Sequence, residues 1–346
     1  MSGGLVRVGF DEAGLGPTLG PLVVAGFATR STKGASRGAG SPSDDLRGPL
    51  AAAVGPPGVR DGRLEVGDSK KIHTGSRKLA RIERTALATV AWIHGRVPGS
   101  VAELLELVGV GEFELAEDRR APWWAALDEA LPITSERGAI EAASAQLAAA
   151  ARAAGITPLW YRADVVGAAR VNRELEAEHA REGTKNTWAT HAVLRMAKLA
   201  LDEIDARRFA VWCDKAGGRQ AYLEPLHRAF PEPSAGGGSV TLERIGERRD
   251  LSCYELSLSG ADAREVELGF VMGGDRLDPR ISWASILAKY LRELILRAFN
   301  RYFIARVPSL RATAGYPQDA KRFIAEVEAA LGRELGLERE QWIRSL

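Results

Sequence analysis

The sequence predicts an α/β fold in which a mixed central sheet is flanked by helices. Short apolar runs typical of buried strands alternate along the 346 residues with longer amphipathic segments typical of helices. The chain opens with two strand-like segments joined by a Gly/Pro-rich turn, which indicates a hairpin, and it closes with helical segments. This order of elements places the chain in the α/β class.

The predicted strands come first. Residues 5–10 form a short apolar strand that ends at the acidic pair Asp11 and Glu12, and residues 21–30 form its hairpin partner. Residues 209–214 (FAVWCD) are typical of a buried central strand that ends on Asp214. Further strands are predicted at 158–166 (PLWYRADVV), 239–245 (SVTLERI) and 265–272 (EVELGFVM).

Helices are predicted between and after these strands. One begins at about Arg77 with Ser76 as its N-cap, and an amphipathic helix covers Asn186 to Asp205. A long helix runs from Pro279 toward Phe303, with proline at a favourable first-turn position. A final helix follows Pro317.

We predict a single domain over residues 1–346 that carries two insertions. Residues 31–63 are rich in Gly, Ser, Pro and Ala with little periodicity, which indicates a flexible insertion. Residues 96–157 contain short helical patterns and an alanine-rich stretch, which indicate a helical insertion. Trp123 and Trp124 are predicted to lie in the core of that second insertion.

Composition excludes several classes of protein. No apolar run approaches the length of a membrane span, so no membrane partner is expected. Cys213 and Cys253 are too few for a disulfide framework, and the default is a cytoplasmic protein. The five histidines lack the spacing of a zinc site.

The charge distribution leaves two interpretations open. The net charge is only +2, but the stretch from Arg276 to Arg322 has ten basic and three acidic residues, a local excess of +7. Such a basic face attracts phosphate. The alternative is an ordinary solvated helix face.

Acidic residues follow three of the apolar runs. Asp11 and Glu12, Asp214, and Asp275 each stand at the end of a predicted strand, beside or after glycine-rich segments. Carboxylates gathered at a sheet rim repel one another unless a cation lies between them. Their oxygens suit Mg²⁺ or Mn²⁺, and two such ions can stabilise the attacking and leaving oxygens of a phosphoryl displacement. The alternative is that each acid caps a turn or a helix.

Several motifs in order give the sequence a family resemblance. It resembles ribonuclease HII, of the ribonuclease H superfamily, and the matching segments lie outside both insertions. They are GFDEAGLGPTLGPLVVAG (9–26), GDSKKI (67–72), NTWATHAVLRMAKLAL (186–201), Asp214, Gly274 with Asp275, ISWASILAKYLRE (281–293) and AGYP (314–317).

The resemblance implies a ribonuclease H-like fold and a reaction. Asp11, Glu12, Asp214 and Asp275 would bind two Mg²⁺ or Mn²⁺ ions. The enzyme would hydrolyse RNA in RNA–DNA hybrids, or cleave 5′ to a ribonucleotide embedded in DNA. The products would carry 3′-hydroxyl and 5′-phosphate ends.

The resemblance also implies substrate contacts. Gly14, Leu15 and Gly16 match a turn that reads the ribose 2′-hydroxyl, the group that distinguishes RNA from DNA, through its backbone. Tyr316 matches a tyrosine that stacks on the sugar at the RNA–DNA junction. Lys70 and Lys289 occupy motif positions suited to phosphate.

Two positions depart from the family pattern. Leu15 stands where the family has arginine, and Asp214 is followed by KAGGRQAY where the family usually has glycine. Lys215 and Arg219 could supply the missing charge, or they are ordinary basic residues of a helix turn. These departures keep two rivals open: a related metal nuclease with another nucleic-acid substrate, and a nucleic-acid-binding paralogue without catalysis.

Overall fold

A seven-stranded sheet forms the centre of the computed structural model. The structure describes residues 4–32, 42, 46–109, 121–215, 219–231, 238–260 and 263–345. The strands are β1 (Val6–Ala13), β2 (Leu22–Ser31), β3 (Val54–Gly55), β4 (Leu64–Glu65), β5 (Ile156–Val166), β6 (Arg208–Asp214), β7 (Val240–Glu247), β8 (Leu251–Leu258) and β9 (Arg264–Val271). The sheet order is β5-β2-β1-β6-β9-β8-β7, and β3 and β4 pair separately.

The sheet is mixed. β1, β2 and β5 pair antiparallel, β1, β6 and β9 run parallel, and β8 and β7 return antiparallel beyond β9. The predicted α/β class with a mixed sheet is therefore confirmed. Because β1 and β6 are parallel and Phe10 lies opposite Cys213, the acidic residues that follow each of them come to the same edge.

Helices cover both faces of the sheet. They are α1 (Ser69–Ile72), α2 (Lys78–His94), α3 (Val101–Val108), α4 (Arg137–Ala154), α5 (Ala168–His179), α6 (Lys185–Glu203), α7 (Leu223–Ala229), α8 (Gly274–Leu277), α9 (Pro279–Arg306), α10 (Pro317–Leu331) and α11 (Arg339–Trp342). Short 3₁₀ helices occupy Pro122–Ala126 and Gly332–Leu335. None of the described helices is long and apolar enough to span a membrane.

Two hydrophobic cores lie on opposite faces of the sheet. The larger core packs under α2, α4 and α9 and includes Val23, Ala25, Phe27, Leu87, Leu147 and Leu291. The smaller core packs under α5, α6 and α7 and includes Val6, Val8, Phe10, Val193, Val211 and Leu226. Alternate residues of β1 and β2 therefore serve different cores, as the two-residue period of a strand requires.

Helix α9 crosses the sheet directly over β1. A Cβ added at Gly9 would lie 2.3 Å from the backbone nitrogen of Ile281, so only glycine allows the start of α9 to approach this closely. Asp278 caps the helix by accepting a hydrogen bond from the Arg280 N–H at 2.8 Å. The predicted long helix from Pro279 is confirmed, and it continues to Arg306.

Most predicted elements occur close to their expected bounds. The central strand ends on Asp214, and the last two predicted helices begin at Pro279 and Pro317. The Ser76 cap was wrong: α2 begins at Lys78 after Arg77, with no side-chain cap. Strand β8 was missed, although its LSCYELSL sequence alternates partly between buried and exposed residues.

The segments predicted as insertions carry regular structure where they are described. Residues 33–41 and 43–45 of the first segment and 110–120 of the second lie outside the described residues. In the first segment, Leu46, Leu50 and Ala53 are buried in the larger core. In the second, Trp123 is buried and its ring contacts Phe299 of α9 with a centroid distance of 5.0 Å. The division into one domain with two insertions stays a prediction.

Candidate metal centre

Asp11 and Glu12 are the sixth and seventh residues of β1, because the strand continues through them to Ala13. Asp11 is only 8% exposed, and its Oδ1 accepts a hydrogen bond from the Glu12 N–H at 2.8 Å. Side chains alternate along a strand, so Asp11 lies on the α9 face and Glu12 on the opposite one. The two carboxylates therefore lie near the end of β1, at the rim of the sheet, and on opposite faces of it.

Asp214 is the last residue of β6, beside β1. Its Oδ1 accepts a hydrogen bond from the Gly274 N–H at 2.6 Å, which ties the end of β6 to the start of α8. Asp275 lies in the first turn of α8, and its Oδ2 accepts from the Ser69 N–H at 3.2 Å. This contact joins the fourth acid to the GDSKKI segment.

The electrostatics link the four acids. Burial raises the pKa of Asp11 well above its usual range, and the charges of Asp214 and Glu12 raise it further. Burial, followed by the charge of Asp214, raises the pKa of Glu12 to about 7. The pKa of Asp214 is raised by burial and, more weakly, by Asp275. Such shifts arise when carboxylates are withdrawn from solvent near one another.

The spacing of these acids and their donor chemistry bear differently on metal binding. Within the described ranges, no three His, Cys, Asp or Glu side chains lie close enough together to hold a metal ion. The donor chemistry nevertheless fits a hard cation, since the acids at this rim supply only carboxylate oxygens. Their raised pKa values indicate that a positive charge at the rim would be stabilising.

Two predicted phosphate contacts lie beside the acids. Lys289 donates to the hydroxyl of Ser69 and, at 3.4 Å, to that of Ser285, and its charge lowers the pKa of Asp11 and of Glu12. Lys70 is exposed, and its charge lowers the pKa of Glu12 and of Asp214. The structure thus brings both lysines to the acidic rim.

The predicted ribose-reading turn continues directly from β1. Gly14 has φ +93°, a left-handed conformation that favours glycine, and Gly16 has open space around its α-carbon. Leu15 is partly buried against the smaller core. The carbonyl of Gly315 accepts hydrogen bonds from the N–H groups of Thr18 and Leu19, at 2.8 and 3.1 Å, so the neighbouring Tyr316 adjoins this turn.

The side chain of Tyr316 is available for contact. It is 60% exposed, although the residue directly precedes α10 and follows the buried Gly315. An exposed aromatic ring next to a glycine-rich turn suits stacking on a sugar or a base.

Lys215 and Arg219, the two basic residues after Asp214, form hydrogen bonds away from the acids. The Lys215 ammonium donates to the Arg248 carbonyl at 2.8 Å and to the Ser252 hydroxyl at 3.0 Å, both at the β7–β8 hairpin. Arg219 donates to the Ala221 carbonyl at 2.9 Å and to the Thr187 hydroxyl on α6 at 3.2 Å. The structure therefore does not place either group in contact with the acids.

Tyr222 is a residue of this region that the sequence did not single out. It is 1% exposed and its ring stacks on Phe270 at 3.7 Å, while its hydroxyl has no hydrogen-bond partner among the described residues. Burial raises its pKa, and the charges of Cys213, Glu12 and Asp214 act in the same direction. The only sequence signal was its place in the segment after Asp214.

The basic residues of 276–322 do not form one solvated face. Arg280 and Arg292 are buried, and Arg280 pairs with Asp278. Arg297 and Arg301 both pair with Glu129 of the second predicted insertion. The local charge excess is therefore distributed among internal contacts as well as the surface.

Comparison with known proteins gives similarity at the level of structure. No protein-family profile and no curated protein matches the sequence. A chain of the PCNA:RNase HII complex from Archaeoglobus fulgidus matches with 13% identity and a TM-score of 0.38, over 99% of this chain and 94% of that one. The ribonuclease H2 from Pyrococcus horikoshii OT3 matches with 12% identity and a TM-score of 0.38, over 98% and 92%.

A third solved structure is a complex with a metal ion. Bst-RNase HIII in complex with Mn²⁺ matches with 14% identity and a TM-score of 0.39, over 99% of this chain and 67% of that one. At these TM-scores all three similarities are distant. The chain is thus distantly similar in structure to proteins named as ribonucleases HII, H2 and HIII, and its motifs resemble the first of these.

Proposed function

We propose that the chain is a metal-dependent endoribonuclease that hydrolyses RNA in RNA–DNA hybrids, or at ribonucleotides embedded in DNA. The observation that carries this proposal is the proximity of Asp11, Glu12 and Asp214 at one rim of the sheet, where the charge of Asp214 raises the pKa of both Asp11 and Glu12. A cation bound among these acids would offset their repulsion, and carboxylates with perturbed pKa values are enriched at functional sites.

Asp11, Glu12, Asp214 and Asp275 would hold two Mg²⁺ or Mn²⁺ ions. Such ions supply a hydroxide near neutral pH and stabilise the oxygens that attack and leave phosphorus, which gives 3′-hydroxyl and 5′-phosphate ends. The backbone hydrogen bonds to Asp214 and Asp275 hold two of these carboxylates in place before substrate arrives. Pre-positioned ligands reduce the reorganisation needed during the reaction.

The chain's other residues would orient the nucleic acid. Lys70 and Lys289 stand beside the acids and would contact phosphate oxygens. Arg219, which donates to Thr187 of α6, would contact the sugar–phosphate backbone of the nucleic acid there. Gly14, Leu15 and Gly16 would present backbone N–H groups to the ribose and to the phosphodiester group next to it. The exposed ring of Tyr316 would stack on the sugar.

Cleavage assays test the proposal. With Mg²⁺ or Mn²⁺, the purified protein should cleave a hybrid and a duplex with a single ribonucleotide, and Asp214→Asn should abolish cleavage. Asp202→Asn, an exposed acid on α6 paired with Lys198, is the matched control and should cleave normally. Absence of cleavage on both substrates with both metals would refute the proposal.

Leu15 motivates a second candidate, a metal nuclease with a different nucleic-acid substrate. A panel of single-stranded, duplex and hybrid substrates separates the two, because the second candidate predicts metal-dependent cleavage outside the ribose-containing members. A non-catalytic nucleic-acid-binding paralogue would bind these probes without cleaving any.

The buried free thiols of Cys213 and Cys253 suit the reducing cytoplasm that we propose for the protein.

A further inference from the structure

The turn of residues 14–20, which follows the acidic pair, rests on a buried arginine from the other end of the chain. Arg344 is 2% exposed. Its Nη1 donates to the carbonyl of Gly14 at 2.5 Å and to that of Gly20 at 3.4 Å, and its Nη2 donates to the carbonyl of Leu15 at 3.3 Å. One guanidinium therefore holds three carbonyl groups of this turn.

Backbone contacts fix the position of Arg344. Its N–H donates to the Thr18 carbonyl at 2.9 Å, and Ile343 forms an antiparallel bridge with Leu19. On the other side, the Asn172 side chain donates to the Ile343 carbonyl at 2.8 Å and accepts from the Ser345 N–H at 2.7 Å. The arginine is thus anchored on both sides of its own residue.

A second buried arginine lies beneath the same turn. Arg292 of α9 is 7% exposed and donates to the carbonyls of Leu19 at 3.2 Å and Ala314 at 3.3 Å. A Cβ added at Gly14 would lie 2.6 Å from the Arg292 Nε, which shows how closely this side chain approaches the turn.

Among the described residues, neither guanidinium has an acidic partner in direct contact. The part of the chain that the structure describes contains no ion pair or hydrogen bond between a carboxylate and Arg292 or Arg344, and the Nε of each is buried without a partner. Glu293 acts on Arg292 only through its charge. Burial lowers the pKa of Arg344 to about 9, and the charge of Arg292 acts in the same direction. Two buried positive charges for which the described residues supply no directly bound counter-charge favour an anion nearby.

The backbone of the turn shows where that anion would lie. In a trans peptide the C=O of one residue and the N–H of the next point in opposite directions. Since the carbonyls of Gly14 and Leu15 point to Arg344, the N–H groups of Leu15 and Gly16 point away from it. Gly16 is exposed, and a Cβ added there would meet no heavy atom within 4 Å, so the outer side of the turn is open. Consecutive outward N–H groups over a positive charge favour an anion.

We propose that Arg344, together with Arg292, supplies from beneath the turn the positive charge that Leu15 lacks, and thereby positions the turn to bind a phosphodiester group of the nucleic acid. Arg344 is a positioning residue in this account, because it contacts the turn and not the substrate. The inference rests on the proposed function, since it takes nucleic acid as the ligand.

The test compares Arg344→Gln with Arg344→Lys, using a labelled RNA–DNA hybrid over a series of salt concentrations. Arg344→Gln should weaken binding about tenfold and reduce the salt slope by about 0.9, the contribution of one neutralised phosphate. It should raise KM while kcat changes less than about twofold, since only uniform binding is lost. Arg344→Lys keeps the charge without the forked geometry, so the salt slope should stay near that of the wild type.

A rescue variant separates charge from mere support of the fold. Adding Leu15→Arg to Arg344→Gln should restore the salt slope, because it returns a positive charge to the turn. Exposed Arg333→Gln in the same C-terminal region is the matched control and should leave binding unchanged. Melting temperatures identify a variant that fails to fold. If Arg344→Gln does not fold, Arg344→Lys carries the test. A salt slope of Arg344→Lys that is lower than the wild-type slope by about 0.9 would then count against the proposal.

Three outcomes would count against these proposals. A folded Arg344→Gln with wild-type affinity and salt slope would overturn the inference and leave the proposed function intact. Equal losses in Arg344→Gln and Arg344→Lys, with no rescue by Leu15→Arg, would show a structural role only and would also overturn it. A wild-type protein that neither binds nor cleaves the hybrid would overturn the proposed function, and this inference with it.

Discussion

Asp214→Asn should make the metal-free protein more stable at about pH 8, although it removes a residue of the candidate metal centre. The substitution preserves the shape of the side chain and an Oδ1 that can accept the Gly274 N–H hydrogen bond at 2.6 Å. It removes the charge that raises the pKa of Glu12 and of Asp11. The repulsion between Asp214 and the two acids of β1 should therefore be removed without loss of the backbone contact.

The shift of Glu12 sets the scale of this effect. Its pKa rises from 4.5 to about 7, which corresponds to about 3.4 kcal/mol at about 1.36 kcal/mol per pKa unit. Burial is the larger cause and Asp214 the second, and solvent at the partly exposed Glu12 weakens the interaction. We therefore expect Asp214→Asn to increase the free energy of unfolding by about 1 kcal/mol at about pH 8.

The sign of the pH dependence follows from the direction of the shift. A group whose pKa is raised on folding contributes stability below its unfolded pKa, here 4.5, and that stability is lost as pH rises through about 7. The difference between Asp214→Asn and the wild type should consequently be small at about pH 5 and largest at about pH 8. Histidine titrations affect both proteins and cancel in this difference.

Urea unfolding in EDTA at both pH values measures the effect, with Asp202→Asn as the exposed control. Saturating Mn²⁺ should reverse the order of stability, because the wild type binds the ion more tightly than the variant does. The reasoning is refuted if Asp214→Asn is less stable than the wild type at about pH 8 in EDTA, or if the difference is the same at about pH 5.

Two further predictions concern the frame of the site. Glu83 is fully buried and accepts hydrogen bonds from the backbone N–H groups of residues 133–135. Because Glu83→Gln turns one acceptor into a donor, it should lower the free energy of unfolding in urea by about 2–4 kcal/mol. A loss below about 0.5 kcal/mol would contradict this. Gly9→Ala would place a Cβ 2.3 Å from the Ile281 backbone nitrogen, which cannot move aside, and should cost about 2–3 kcal/mol. Gly48→Ala, which meets open space, is its control and should change stability by less than about 0.5 kcal/mol; equal effects of the two alanines would refute the packing argument.

Local patterns were enough to predict the frame. The apolar run ending at Asp214 and the long amphipathic segment after Pro279 each have the periodicity of one element, and both were found. The parallel pairing of β1 with β6 and of β6 with β9 was not predicted, because these partners lie far apart in the sequence. Binding of metal by the four acids stays a prediction, because side-chain positions at the rim depend on the cation itself.

Contacts between distant segments could not be predicted. Nothing in the local sequence near Lys215 indicates that its ammonium turns to the β7–β8 hairpin, since the partners are a carbonyl and a hydroxyl far along the chain. The burial of Leu46 and Leu50 in a Gly/Pro-rich segment was missed for a similar reason, because the segment has no period from which a buried face can be recognised.

The contact of Arg344 with the turn also sets the time at which this turn gains its support during synthesis. Gly14 and Arg344 are 330 residues apart, and a ribosome that adds about 5–20 residues per second takes roughly 15–70 s to cross that interval. A nascent chain has all four acids once residue 275 has emerged, but the turn of residues 14–20 still lacks the arginine beneath it. On our proposal, synthesis therefore provides the carboxylates of the candidate metal centre before the contact that supports the neighbouring turn.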